Sequence, residues 1–279
     1  MHHLKQDYMK LNYTRIILTA AAVVFFYTAC KKSETKPDAK TLSAIDTSNT
    51  KIAFNLMQGL SGAYGGTNIN DGIKAESNIT NGQNNGAIVF KKVPLCGFAI
   101  DTTFNTKTKS ADTNKTFFGN FKFVYTCSTD RPDGYRTHDS VVSVAVSPLL
   151  KNSFTAAQDY TVKALDTTYK LVSTNGSILS ITDNAIYKDG FSVGYDYNYN
   201  SYTLHGLKID FTKGSADIIT GVAEFKSTTS YLHPGDKQVT EVSNTGTITF
   251  LGNHKARLHL NEKNKSYSVN LLTGGVTAI

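Results

Sequence analysis

Apolar and polar residues alternate along most of this chain, and a repeat of two residues is the pattern of a β-strand with one buried face and one wet face. Phe121, Phe123, Tyr125 and Cys127 fall on one side of such a strand, with Lys122 and Thr126 on the other. Ala256, Leu258 and Leu260 alternate with Lys255, Arg257 and His259, and Tyr267, Val269 and Leu271 alternate with Ser266, Ser268 and Asn270. Turn residues punctuate these runs: Asn175-Gly176, Asp189-Gly190, Lys213-Gly214, the segment 233–236 (HPGD), 251–253 (LGN) and 261–264. Asn-Gly and Asp-Gly accept the positive φ that a tight hairpin requires. The spacing predicts consecutive hairpins from about residue 168 to the end. Residues 216–231 and 237–250 are long for strands and are expected to bend at Gly221 and Gly246. Abundant Thr, Ser, Asn, Gly and Tyr, with no Trp, suits many half-exposed strands. The expected class is all-β and antiparallel, a hairpin-rich sandwich or a bent meander sheet.

One segment departs from period two. In residues 49–60, Ile52, Leu56, Met57 and Leu60 share a helical face, Ser48 or Asn49 can cap the start, and glycines 59, 62, 65 and 66 end it. This predicts one short helix ahead of the strands.

The N-terminal segment reads as an address. Residues 16–27 (IILTAAAVVFFY) are apolar behind Lys10 and Arg15. A spanning helix needs about 20 apolar residues, so the run fits the hydrophobic region of an export signal opening at Met9. Tyr27-Thr28-Ala29-Cys30 follows and resembles a bacterial lipobox, with Tyr27 where Leu is usual; Cys30 is then the expected lipidation site. Lys31, Lys32, Glu34, Lys36, Asp38 and Lys40 make the next stretch a solvated tether. The expected organisation is a signal over 1–29, the acylated cysteine and tether over 30–47, and an all-β domain over 48–279. Much of the net charge of +7 sits ahead of residue 41. The remainder is too dispersed for a nucleic-acid footprint.

Three stretches, LSGAYGGTNINDGIKA (60–75), FFGNFKFVYTCSTDRPDGYRTHDS (117–140) and GTITFLGNHKARLHLNEKNKSYSVNL (246–271), together with the lipobox-like cysteine, resemble the uncharacterised β-rich lipoproteins of Bacteroidota. The resemblance implies an envelope lipoprotein, with membrane lipid as its partner through Cys30. Such proteins bound for the cell surface carry acidic residues behind the cysteine; the two lysines here favour an outer-membrane lipoprotein facing the periplasm, with the cell surface as the alternative. The resemblance lends no catalytic residue.

Cys96 and Cys127 are the remaining cysteines. Cys96 shares a strand face with Phe98 and Ile100, so both thiols are expected to face the core and, in an oxidising compartment, to pair as a disulfide. Two cysteines without matched histidines make no zinc site, and His138, His205, His233, His254 and His259 show no ligand spacing. No nucleophile elbow, dinucleotide loop, phosphate loop or zinc-protease pair is present, so no catalytic residue, metal or cofactor is expected. The segment 194–202 (GYDYNYNSY) places Tyr195, Tyr197 and Tyr199 on one strand face and Asp196, Asn198 and Asn200 on the other. Tyr195, Tyr197, Tyr199, Asp196 and Asn198 are the candidate ligand-binding residues, because rings beside amides and carboxylates suit a sugar or a partner protein; cross-strand packing is the competing account of the tyrosines. The expected function is a lipid-anchored envelope module, binding or structural, with an envelope protein or glycan as partner. The alternative is a glycan-directed hydrolase whose carboxylates the fold brings together.

Overall fold

The computed structural model describes residues 44–279 apart from 64, 74–77, 80–89, 92–93 and 111, with the backbone alone at 44–50, 78–79 and 90–91. Cys30, the signal segment and the tether lie outside the described residues. The described chain opens with helix α1 (Ala44–Leu60) and a short 3-10 turn (Ile69–Asp71). A two-residue pair follows, β1 (Asn78–Ile79) with β2 (Phe90–Lys91). The rest is strand: β3 (Ala99–Ser110), β4 (Thr113–Ser128), β5 (Arg131–Val146), β6 (Leu150–Ala164), β7 (Leu171–Lys188), β8 (Phe191–Asp210), β9 (Asp217–Leu232), β10 (Thr240–Gly252), β11 (Lys255–Leu260), β12 (Lys265–Asn270) and β13 (Val276–Ala278). These eleven strands, β3 to β13, form one open antiparallel sheet in strict sequence order. The architecture is therefore a meander rather than a sandwich. Pro148 lies within the β5–β6 hairpin, so the sheet runs through it without a break.

The sheet curls because of what it has to cover. Ile52, Ala53, Leu56 and Leu60 of α1 are 1 % exposed or less. The helix contacts both β7 and β12. Those strands are five positions apart in the sheet, about 24 Å if it were flat. The residues that make these contacts, Gly59 beside Ile178 of β7 and Phe54 beside Gly274 just after β12, lie about 8 Å apart along the helix, so the strands must bend around it. Tyr202 of β8 donates its hydroxyl to the Ile52 carbonyl (2.8 Å), and Phe54 packs against Gly274 ahead of β13. The concave face beneath α1 carries Tyr135, Tyr160, Ile178, Leu204, Ala223, Phe225, Ile248, Leu258 and Val269, all buried.

The chain leaving α1 is clamped to this face by buried polar groups. The Thr67 amide donates to Asp139 Oδ2 (2.9 Å) and to Gln158 Oε1 (2.8 Å), and the Thr67 hydroxyl donates to the same carboxylate oxygen (2.7 Å). Gln158 Nε2 returns to the Gly59 carbonyl at 2.7 Å. Asp139 and Gln158 are each 2 % exposed. Replacing Asp139 by alanine removes the acceptor shared by the Thr67 amide and hydroxyl, and a loss of about 1–3 kcal/mol is expected, measured by urea unfolding; no change in midpoint would contradict the clamp.

Several sequence expectations require correction. The helix starts at Ala44, so Ser48 and Asn49 lie inside it rather than at its cap. Asp189-Gly190 does turn the chain, with φ of 52° and 82°. Asn175-Gly176 does not: both lie inside β7, at a bulge between Thr174 and Gly176. A Cβ on Gly176 would sit 2.2 Å from the Asp159 carbonyl oxygen, and Asn175 Oδ1 accepts the Gly206 amide at 2.7 Å. The dipeptide therefore absorbs a local kink in two neighbouring strands. Gly246 likewise sits in an unbroken ladder. It is required there because a side chain would meet the His259 carbonyl oxygen at 1.9 Å.

The cysteines form a disulfide, Cys96–Cys127, with Cα atoms 5.8 Å apart. The expectation that both face the core is overturned, since both are exposed. Cys96 lies in a turn ahead of β3. A bulge between Thr126 and Cys127 breaks the β4 alternation one residue before the second cysteine. No helix among the described residues is long and apolar enough to cross a membrane.

Candidate functional site

Helix α1 covers only part of the concave face, and the chemistry of that face changes row by row along the strands. The row Ile178, Tyr202, Phe225 is apolar and covered. One step further come Ser180, Asn200, Ser227 and Asn244, paired across β7, β8, β9 and β10. The next row is Phe154, Thr182, Asn198 and Thr229, and the last is Asn152, Asn184, Asp196 and Tyr231. Because side chains on one sheet face repeat every second residue, this gradient is written as S-x-T-x-N in β7 and D-x-N-x-N in β8.

The polar end of the face forms a groove with two halves that meet at Asn184. The first half, about 610 Å³, is lined by Thr113 and Lys115 of β4, Ser143 of β5, Asn152 and Phe154 of β6, and Thr182 of β7, among others. The second, about 380 Å³, lies against Tyr195, Asp196 and Asn198 of β8, Thr229 and Tyr231 of β9, and Lys51 of α1. Asn198 is held in a fixed orientation: its amide nitrogen donates to Asp196 Oδ1 (2.5 Å) and its oxygen accepts from Thr229 (2.9 Å). By contrast, Asn152, Thr182 and Asn184 make no side-chain hydrogen bond to any described residue.

The candidate residues from the sequence are split by this geometry. Asp196 and Asn198 stand in the groove. Tyr197 and Tyr199 are half-buried and point to the convex side, where Asp183 and Ser230 flank Tyr197 across the ladders. Tyr195 alternates with them yet reaches the groove at the end of the strand. Tyr202 is a core residue, 1 % exposed. The residues that sequence reasoning missed are Thr182, Asn184 and Asn152. The available signal was the run of small polar residues at alternate positions of one strand, and it reads as a solvated face until the curl makes that face concave.

Among the described residues the groove lining contains one carboxylate, Asp196. The buried phenols Tyr135 and Tyr160 are pushed well above their ordinary pKa by desolvation, so neither supplies a base near neutrality. The histidines are dispersed, each of four beside a single carboxylate: His138 with Asp159, His205 with Glu224, His233 with Asp236 and His254 with Asp217. Among the described residues no three potential metal ligands converge. The arrangement offers hydrogen bonding and ring contact. No protein-family model, curated protein or solved structure matches the chain.

Proposed function

We propose that this chain is a lipid-anchored cell-envelope protein, acylated at Cys30 and facing the periplasm from the outer membrane, that binds an envelope component without chemistry in the groove between β4 and β9. The observation that carries the reading is the uncovered end of the concave face, where Asn152, Thr182 and Asn184, with no side-chain hydrogen bond to a described residue, line a depression. A glycosidase flanks the scissile bond with a carboxylate pair; the single carboxylate of the described lining supports binding over hydrolysis. The address rests on the sequence, with Cys30 behind a short apolar run. The resemblance of its sequence to β-rich envelope lipoproteins supports it, as does an exposed disulfide suited to an oxidising compartment.

Two measurements test it. A fatty-acid analogue fed to cells is expected to label the wild type and not Cys30→Ser; equal labelling would remove the anchor. Native protein purified from its own envelope is expected to retain a component that Asn184→Arg loses. Asn184 is half-exposed and makes no side-chain hydrogen bond to a described residue, so its replacement should change stability by no more than about 0.5 kcal/mol. Equal retention by a stably folded Asn184→Arg would remove the groove from the function.

A further inference from the structure

The lining of the groove also narrows the ligand, an argument that rests on the binding reading above. We infer that the ligand is an uncharged, hydroxyl-rich chain, a neutral oligosaccharide, lying across strands β4 to β9.

Four observations carry this. First, the polar lining is dominated by amides and hydroxyls: Thr113, Ser143, Asn152, Thr182, Asn184 and Asn198. Each can both donate and accept, and that suits an alcohol, which does the same. Second, the charges present do not favour an ion. Lys115 stands alone in one half, Lys51 and Asp196 oppose one another in sign in the other, where His233 lies beside Asp236, and no arginine lines the described groove. Phosphate and carboxylate ligands are met by guanidinium forks or by fields of one sign. Third, rings stand in both halves, Phe154 in the first and Tyr195 and Tyr231 in the second, giving apolar faces on which the C–H face of a sugar can rest.

The fourth observation lies one row deeper. Ser180, Asn200 and Ser227 are 4 %, 4 % and 5 % exposed, and their side chains make no hydrogen bond to a described residue. Buried polar groups are almost always hydrogen-bonded, to protein or to ordered water. Hydroxyl and amide groups left without a described partner along this row can meet the hydroxyls of a ligand above it, directly or through water. The dimension also points to a chain rather than a single ring, because crossing from β4 to β9 traverses five strand spacings, about 24 Å along the curved sheet.

The test uses the full mature protein and labelled neutral gluco-, manno-, galacto- and xylo-oligosaccharides from disaccharide to hexasaccharide, with oligogalacturonates and heparin fragments as charged counterparts. At least one neutral series is expected to bind, tightening at least about tenfold from disaccharide to hexasaccharide, a step of about 1.4 kcal/mol. Binding should weaken at least tenfold in both Asn184→Arg and Thr182→Arg. It should hold when salt is raised from about 0.05 M to about 0.5 M, since screening acts on charged contacts. Binding confined to the charged fragments, and lost in salt, would overturn the inference. So would the absence of any neutral binding while the wild type still captures a lipid or protein that Asn184→Arg loses; that result leaves the groove as a binding site and removes the sugar. If neither binding nor capture depends on Asn184, both readings fall together.

Discussion

Truncating Leu56 to alanine is expected to lower stability by about 2–5 kcal/mol. The side chain is fully buried (0 % exposed), in a cluster with Ile52, Ala53 and Leu60 of the same helix. The sheet it faces is pinned at several places around α1: β7 through Ile178 beside Gly59, β8 through Tyr202, and the β12–β13 loop through Gly274 beside Phe54. A surface held at so many points collapses poorly into a cavity, and the upper half of the range is expected. Urea unfolding gives the value directly. Leu95, 60 % exposed, is the control, and Leu95→Ala should stay within about 0.5 kcal/mol. A small effect at Leu56 would mean that the strands hold their curl without the helix.

The second large effect is expected from the disulfide. Cys96 and Cys127 are exposed, so the bond contributes little core packing. Its stabilisation comes from closing a loop with a sequence separation of 31 residues, worth about 3–4 kcal/mol on the chain-entropy account. The effect should also be local. β3 is an edge strand with one neighbour, β4, and the disulfide joins the turn before β3 to the far end of β4. In the Cys96→Ser/Cys127→Ser double variant, the amides of β3 should exchange with solvent faster than those of β9 to β11, and the urea midpoint should fall. An unchanged midpoint with uniform exchange would contradict the role assigned to the bond.

The all-β class and the meander were legible because alternation and turn chemistry are local. Phe121, Phe123 and Tyr125 read correctly as an inward row, and Asp189-Gly190 as a hairpin. What local grammar could not supply was the effect of neighbouring strands. Asn175-Gly176 has turn composition, but the twist of β7 against β8 uses it as a bulge. Cys127 continues the inward parity of β4 on paper, and the bulge at Thr126 turns it outward. The helix starts five residues upstream of the predicted start at residue 49, because nothing in residues 44–48 stops it. The groove was half legible for a similar reason. Period two separates Asp196 and Asn198 from Tyr195, Tyr197 and Tyr199, yet it does not say which side of the sheet becomes concave. That depends on where α1 docks. The tyrosines drew notice as the more unusual residues, while the plain hydroxyls and amides opposite them line the depression.

The claim that the concave polar face is the working surface can be tested in living cells with a photo-crosslinking amino acid placed at single positions of the full-length protein. Position 184 lies where the two halves of the groove meet, and positions 197 and 199 lie on the convex side of β8. The account predicts that illumination joins an envelope component to the protein through position 184 and not through 197 or 199. Crosslinks from 197 and 199 with none from 184 would place the contact on the tyrosine face and contradict it.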